Sequence, residues 1–225
     1  MNRGTAESRL VISSARERRG ETHRIFLLSP AKISGIRGSL ITSEAAQSRL
    51  ALRVRNQGAP LGEIFSFISG LYFRGKLAYA KKFAEVAGDL PPAYVITACA
   101  GLVSSEMIVS LDELRKMCAG DLDAANRQYR EALDRDLKVL AQGIADDCQV
   151  VLLGSVATSK YVEPLLSVFG ERLLFPAEFV GRGDMSRGAL MLRSASAGTQ
   201  LTYVPLARAT RHGARPPRLL PLQSR

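Results

Sequence analysis

The chain has 225 residues, a formal net charge of +10 and 46% hydrophobic residues. That is too apolar for a disordered chain and too short for three domains, so one domain with tails, or two small ones, is expected. No stretch approaches the roughly 20 uninterrupted apolar residues of a membrane span, and charges run through the first 24 residues in place of a secretory core, which reads as a cytoplasmic protein. Three cysteines (Cys99, Cys118 and Cys148) form no CxxC, and His23 and His212 are the only histidines. The composition therefore implies no disulfide framework, no metal site, no cofactor and little histidine chemistry.

Charge is unevenly placed. Residues 1–24 hold six Arg and three acids, and residues 207–225 hold five Arg and no acid, with three prolines among the last ten. Both read as basic, unstructured tails around a single domain spanning 25–206. Within that domain, 25–82 carries nine basic and two acidic residues, while 83–181 carries eight basic and 15 acidic. An oriented basic face on the early segment, joined by the 182–193 stretch read as a loop, is the expected partner surface for nucleic acid or a nucleotide.

In chain order, Ile25–Leu28 is a continuous apolar run that stops at Ser29-Pro30, the pattern of a buried strand running into a loop. The runs at Tyr94–Cys99 and Gln149–Leu153 repeat it, ending in Ala100-Gly101 and Gly154-Ser155. Between them, helical patterns cover Thr42 or Ser43 to Val54, Leu71–Val86, Asp121–Ile144 and Ser159–Phe169. The last third, Arg172–Phe175, Gly188–Ser194 and Thr199–Pro205, reads as short strands with glycine turns. Strand, small-residue loop and helix in alternation predict an α/β fold: an open, mostly parallel sheet with helices on both faces and a short-stranded mixed edge near the C-terminus. Ligands of such sheets bind beyond the carboxyl ends of the strands, so the loops opening at Ser29, Ala100 and Gly154 are expected to converge.

Four stretches carry candidate chemistry. Ser29–Ser39 combines a hydroxyl with Lys32, Arg37 and two glycines, the ingredients of an anion site. Gly154–Tyr161 precedes a helix and offers Ser155, Thr158, Ser159 and Lys160. It departs from a P-loop at Ser159 and Tyr161, but could hold a phosphate on a helix start, with Ser159 as the alternative simple cap. Phe179–Gly188 places Arg182, Asp184 and Arg187 among three glycines, two forked donors with an acid that could orient them or move a proton. Ser66–Lys76 interleaves Tyr72 and two phenylalanines with Arg74 and Lys76, suited to stacking bases and gripping phosphates. Cys99 reads as packing. An enzyme acting on a nucleobase or N-glycosidic bond is the rival to simple binding, with Asp184 as acid or base and Ser155 as an orienting hydroxyl.

At Leu27-Leu28-Ser29-Pro30-Ala31-Lys32 the sequence resembles the opening strand and Ser-Pro-Ala-Lys of the YaaA peroxide-stress family. Gly70-Leu71-Tyr72, Lys76 through Ala84, and Thr97 through Val103 are similar to that family's later pattern, shared with related uncharacterised bacterial α/β families. A more distant likeness is to uracil-DNA-glycosylase-like domains. Ile33 stands where the family has Thr, and the Asp-Pro-Tyr-His and His-Ser-Pro motifs of active uracil glycosylases have no counterpart. The resemblance implies an α/β fold and DNA binding in a stress response.

Overall fold

The computed structural model describes residues 23–217 and residue 219. The basic tail expected over 1–24 thus lies outside the described residues apart from its last two.

Apolar, fully buried runs build the centre of the sheet. β1 (Arg24–Leu28) is buried at all five positions, and β3 (Ala93–Ile96) at all four. β6 (Gln149–Leu153) and β7 (Leu173–Pro176) are buried at all but Gln149. These four strands are parallel, as double-sided burial requires of continuous apolar sequence. β4 (Leu102–Ser104) and β8 (Tyr203–Pro205) close the two edges antiparallel, giving the order β4-β3-β1-β6-β7-β8. A separate two-stranded ribbon joins β2 (Ala59–Pro60) to β5 (Ile108–Val109). After β1 the chain first adds β3 on one side and later β6 on the other, so the topological switch point lies at the carboxyl ends of β1 and β6.

Helices cover the sheet. α1 (Ile36–Thr42) and α2 (Arg49–Asn56) replace the single helix expected from Thr42 or Ser43; Ser48 caps α2 by accepting from the Ala51 amide. α3 (Leu61–Ser69) and α4 (Leu71–Phe83) meet at Gly70, and α5 (Leu111–Met117) starts with a Ser110–Glu113 capping box. α6 (Arg127–Gly143) begins at an Asn126 cap, six residues later than its apolar periodicity proposes.

α7 (Ser159–Phe169) lies as expected, but the capping role given to Ser159 is not filled. Thr158 occupies the cap position, and its side chain makes no cap hydrogen bond. The largest departure is α8 (Asp184–Ala197), a helix where Gly188–Ser194 reads as a strand, so 182–193 is no loop. Gly188 looks like a turn in sequence, yet its missing side chain serves helix packing. A Cβ on Gly188 would fall 2.7 Å from the Leu71 carbonyl oxygen, and one on Gly75 would fall 2.6 Å from that of Gly188. α4 and α8 therefore cross backbone against backbone, and no larger residue fits at either position.

Candidate functional site

Ser29 leaves β1 at the switch point, and its amide donates to the Leu153 carbonyl at 3.2 Å, which ties the loops after β1 and β6 together. A Cβ on Gly154 would lie 3.0 Å from Ser29 Cβ and 3.2 Å from its Oγ, so glycine lets the backbone after β6 pack closely against this serine. The third expected loop does not join them. It turns back into β4, with Thr97 Oγ1 donating to the Gly101 carbonyl at 3.0 Å. The buried Asp136 carboxylate accepts the Leu102 amide at 2.9 Å, and the Cys99 amide donates to the Met117 carbonyl. Cys99 thus belongs to the packing between that hairpin and α5.

Under Ser29 lies Lys76. The buried face of α4 runs through Tyr72, Gly75, Lys76, Tyr79, Ala80 and Phe83 at helical spacing, and Lys76 falls in the middle of it. Only 1% of Lys76 is exposed. Its ammonium nitrogen donates to the Ser29 carbonyl oxygen and to Ser29 Oγ, both at 2.7 Å. It also stands 4.0 Å from the Tyr72 ring centre and 5.2 Å from that of Phe73. Among the described residues no carboxylate lies within ion-pair distance of it. Burial therefore dominates and pulls its pKa down from 10.5 to about 7; the Asp184 charge opposes this and that of Arg187 adds to it.

Tyr72 completes the cluster. It is 8% exposed, and its hydroxyl has no hydrogen-bond partner of good geometry. Burial and the Asp184 charge push that phenol up to about 12, against a smaller opposing pull from Arg187 and Ser29 nearby. Tyr161, on α7, is raised by burial and by the neighbouring Tyr72 and Asp184. The α4–α8 crossing brings this group to α8, where Asp184 pairs with Arg187 at 3.8 Å. Arg187 is further held by two donations to the Phe179 carbonyl and by stacking over the Phe179 ring.

The other sequence-derived residues lie around this centre or away from it. Arg182 donates from Nε to the Glu178 carbonyl and from Nη1 to Ser186 Oγ and the Pro217 carbonyl, which holds it against its own turn and the C-terminal segment. Ser155 Oγ accepts from the Ala157 amide, so its hydroxyl shapes its own turn. Lys160 rests over the Tyr161 ring at 5.1 Å, and Lys32, Thr158 and Ser159 stand exposed.

Arg37 and Arg74 meet elsewhere. A cleft of about 1070 Å³ opens between α1, α2, α3 and the starts of α4 and α8. Arg37, Arg49, Arg53 and Arg74 line it, with Glu63 as its one acid, and Leu40, Leu50, Phe67, Leu71 and Met185 supply apolar wall. Glu63 pairs with Arg53. Two of the five exposed large apolar side chains among the described residues, Leu40 and Met185, line these walls. Arg49 and Arg53 were missed in sequence, although their four-residue spacing places them on one face of α2. Leu71 and Met185 immediately adjoin Tyr72 and Asp184 along the chain, so cleft and buried cluster are neighbours.

Among the described residues no group of three or more His, Cys, Asp and Glu side chains is placed to hold a metal ion, and no helix is long and apolar enough to cross a membrane. No protein-family model matches this chain, and no curated protein or solved structure matches it significantly.

Proposed function

We propose that this chain binds nucleic acid or a nucleotide in the arginine-lined cleft, with phosphates against Arg37, Arg49, Arg53 and Arg74. The observation that carries the reading is the grouping of four guanidinium groups around one concavity with a single acid. Phe67, Leu40 and Met185 offer apolar surface for base faces between the cations. The YaaA-like residues point the same way, toward DNA binding in stress protection. Of the contacts expected from sequence, Arg37 and Arg74 belong to this cleft, whereas Lys32 and Lys160 would at most extend it.

Fluorescence anisotropy with labelled single- and double-stranded oligonucleotides and a nucleoside triphosphate, between 50 and 200 mM salt, tests it. Phosphate-driven binding falls steeply over that range. Arg37→Ala with Arg74→Ala is expected to weaken binding at least tenfold. Affinity that ignores both the salt and the double substitution sinks the proposal.

The rival reading, chemistry at a nucleobase or N-glycosidic bond, draws support from Asp184, whose charge acts on Tyr72 and whose chain neighbour Met185 lines the cleft. It requires free base to appear from a nucleoside or oligonucleotide panel, and that release to vanish in Asp184→Asn.

A further inference from the structure

The Ser29–Lys76 contact goes beyond binding, and its chemistry does not depend on the cleft reading. A serine hydroxyl attacks carbonyl carbon poorly unless a neighbouring base takes its proton, and a neutral amine held at hydrogen-bond distance is one such base. Lys76 Nζ lies 2.7 Å from Ser29 Oγ. A neutral amine has two hydrogens and one lone pair, so Lys76 can donate to the Ser29 carbonyl while accepting the Ser29 hydroxyl proton over the same short contact.

The surroundings favour the neutral form. Lys76 is faced by Tyr72 and Phe73 from its own helix, by Ser29 from the loop after β1, and by Asp184 and Arg187 from α8. Tyr161 of α7 stands behind Tyr72. The one acid and the one guanidinium in this set act in opposite senses on the amine, which leaves burial in control. The backbone at Gly154 packs closely against Ser29, and the uncapped start of α7 follows four residues later in the chain.

We propose that Ser29 and Lys76 form a serine–lysine catalytic dyad that hydrolyses a carboxylic ester, with Ser29 Oγ as nucleophile and Lys76 Nζ as general base. The Ser29 proton passes to Lys76 as the Oγ–carbon bond forms and the carbonyl electron pair moves to oxygen. That pair returns as the carbon–oxygen bond to the alcohol breaks, and the leaving alcohol takes the proton from Lys76. Water then attacks the acyl-serine, again giving its proton to Lys76, and the acid departs as Ser29 recovers its hydrogen.

Ser29 is 6% exposed, so the probe must be small. The full chain is treated with phenylmethanesulfonyl fluoride from pH 5.5 to 9.5. Adduct formation is followed by intact mass and located by peptide mapping, and p-nitrophenyl acetate hydrolysis is measured in parallel. The dyad predicts one sulfonyl group on Ser29, a labelling rate that rises with pH to a plateau with its midpoint at about 7, and loss of ester hydrolysis in Ser29→Ala. Lys76→Met should slow labelling at least 100-fold, the low end of a general base's contribution. If that variant does not fold, the midpoint in the unmodified chain decides. Absence of a Ser29 adduct, an unchanged rate in folded Lys76→Met, or a midpoint near that of a free serine or lysine would overturn the proposal.

Discussion

Arg24 and Lys76 are the two basic side chains buried in the described core, and they sit at opposite ends of β1. At the amino end, Arg24 donates to Gln149 Oε1 at 2.9 Å and to Gln200 Oε1 at 3.1 Å. It also pairs with Glu85 at 3.7 Å and lies over the Tyr203 ring. At the carboxyl end, Lys76 has two neutral oxygens of one serine and two aromatic faces. The first charge is compensated and locks strands together. The second is uncompensated, and its burial is tolerable because the amine can give up its proton. Perturbed groups of this second kind concentrate at functional sites, and this one lies at the switch point of the sheet.

Substitutions can break or sharpen that contrast. The largest effect is expected from Gly188→Val, which forces side-chain atoms into the Leu71 backbone and separates α8 from α4. Urea unfolding should show a loss of about 3 kcal/mol, and the carboxyl-end cluster should come apart, while the amino end keeps its contacts. Arg24→Met strands Gln149 and Gln200 and should cost about 2 kcal/mol at every pH from 6 to 9. Glu85 is half-exposed and adds little to that figure.

Lys76→Met should behave differently. The folded pKa of Lys76, about 7, lies below its ordinary 10.5. The unfolded chain therefore holds more protons between those values, and the native chain gains stability as pH rises through that window, by up to about 1.4 kcal/mol per pH unit. Below pH 7 the full penalty of burying the amine is present. Lys76→Met removes this dependence, so the variant compares best with the native chain at pH 6 and worst at pH 9.5. A Lys76→Met profile parallel to the native one would erase the distinction between the two ends. The smallest effect belongs to Tyr72→Phe, which deletes a hydroxyl without a good partner and should shift stability by less than about 1 kcal/mol.

The contrast also explains what the sequence made legible. β1 and β6 were readable because parallel strands buried on both faces need unbroken apolar residues, and Ser29-Pro30 and Gly154 end those runs abruptly. α8 was not, because its packing depends on the absence of a side chain at Gly188, and a packing glycine looks the same as a turn glycine in one dimension. The site residues Ser29, Tyr72, Lys76, Asp184 and Arg187 were identifiable by type, but their grouping was not. With Arg74 and the neighbouring aromatics, Lys76 reads as a phosphate-gripping cation, although its spacing from Tyr72 and Tyr79 places it on the buried stripe of α4. Nothing local in the sequence reveals that Arg182 donates to Glu178, Ser186 and Pro217.

Burial without a nearby counter-charge implies that Lys76 carries no proton at slightly alkaline pH. With lysine labelled at the ε-carbon, and Lys76→Met identifying the resonance, an NMR titration of the full chain from pH 5.5 to 11 reads this directly. A Lys76 midpoint at about 7 is expected. A Lys76 midpoint near 10.5, the ordinary value of the side chain, would contradict it.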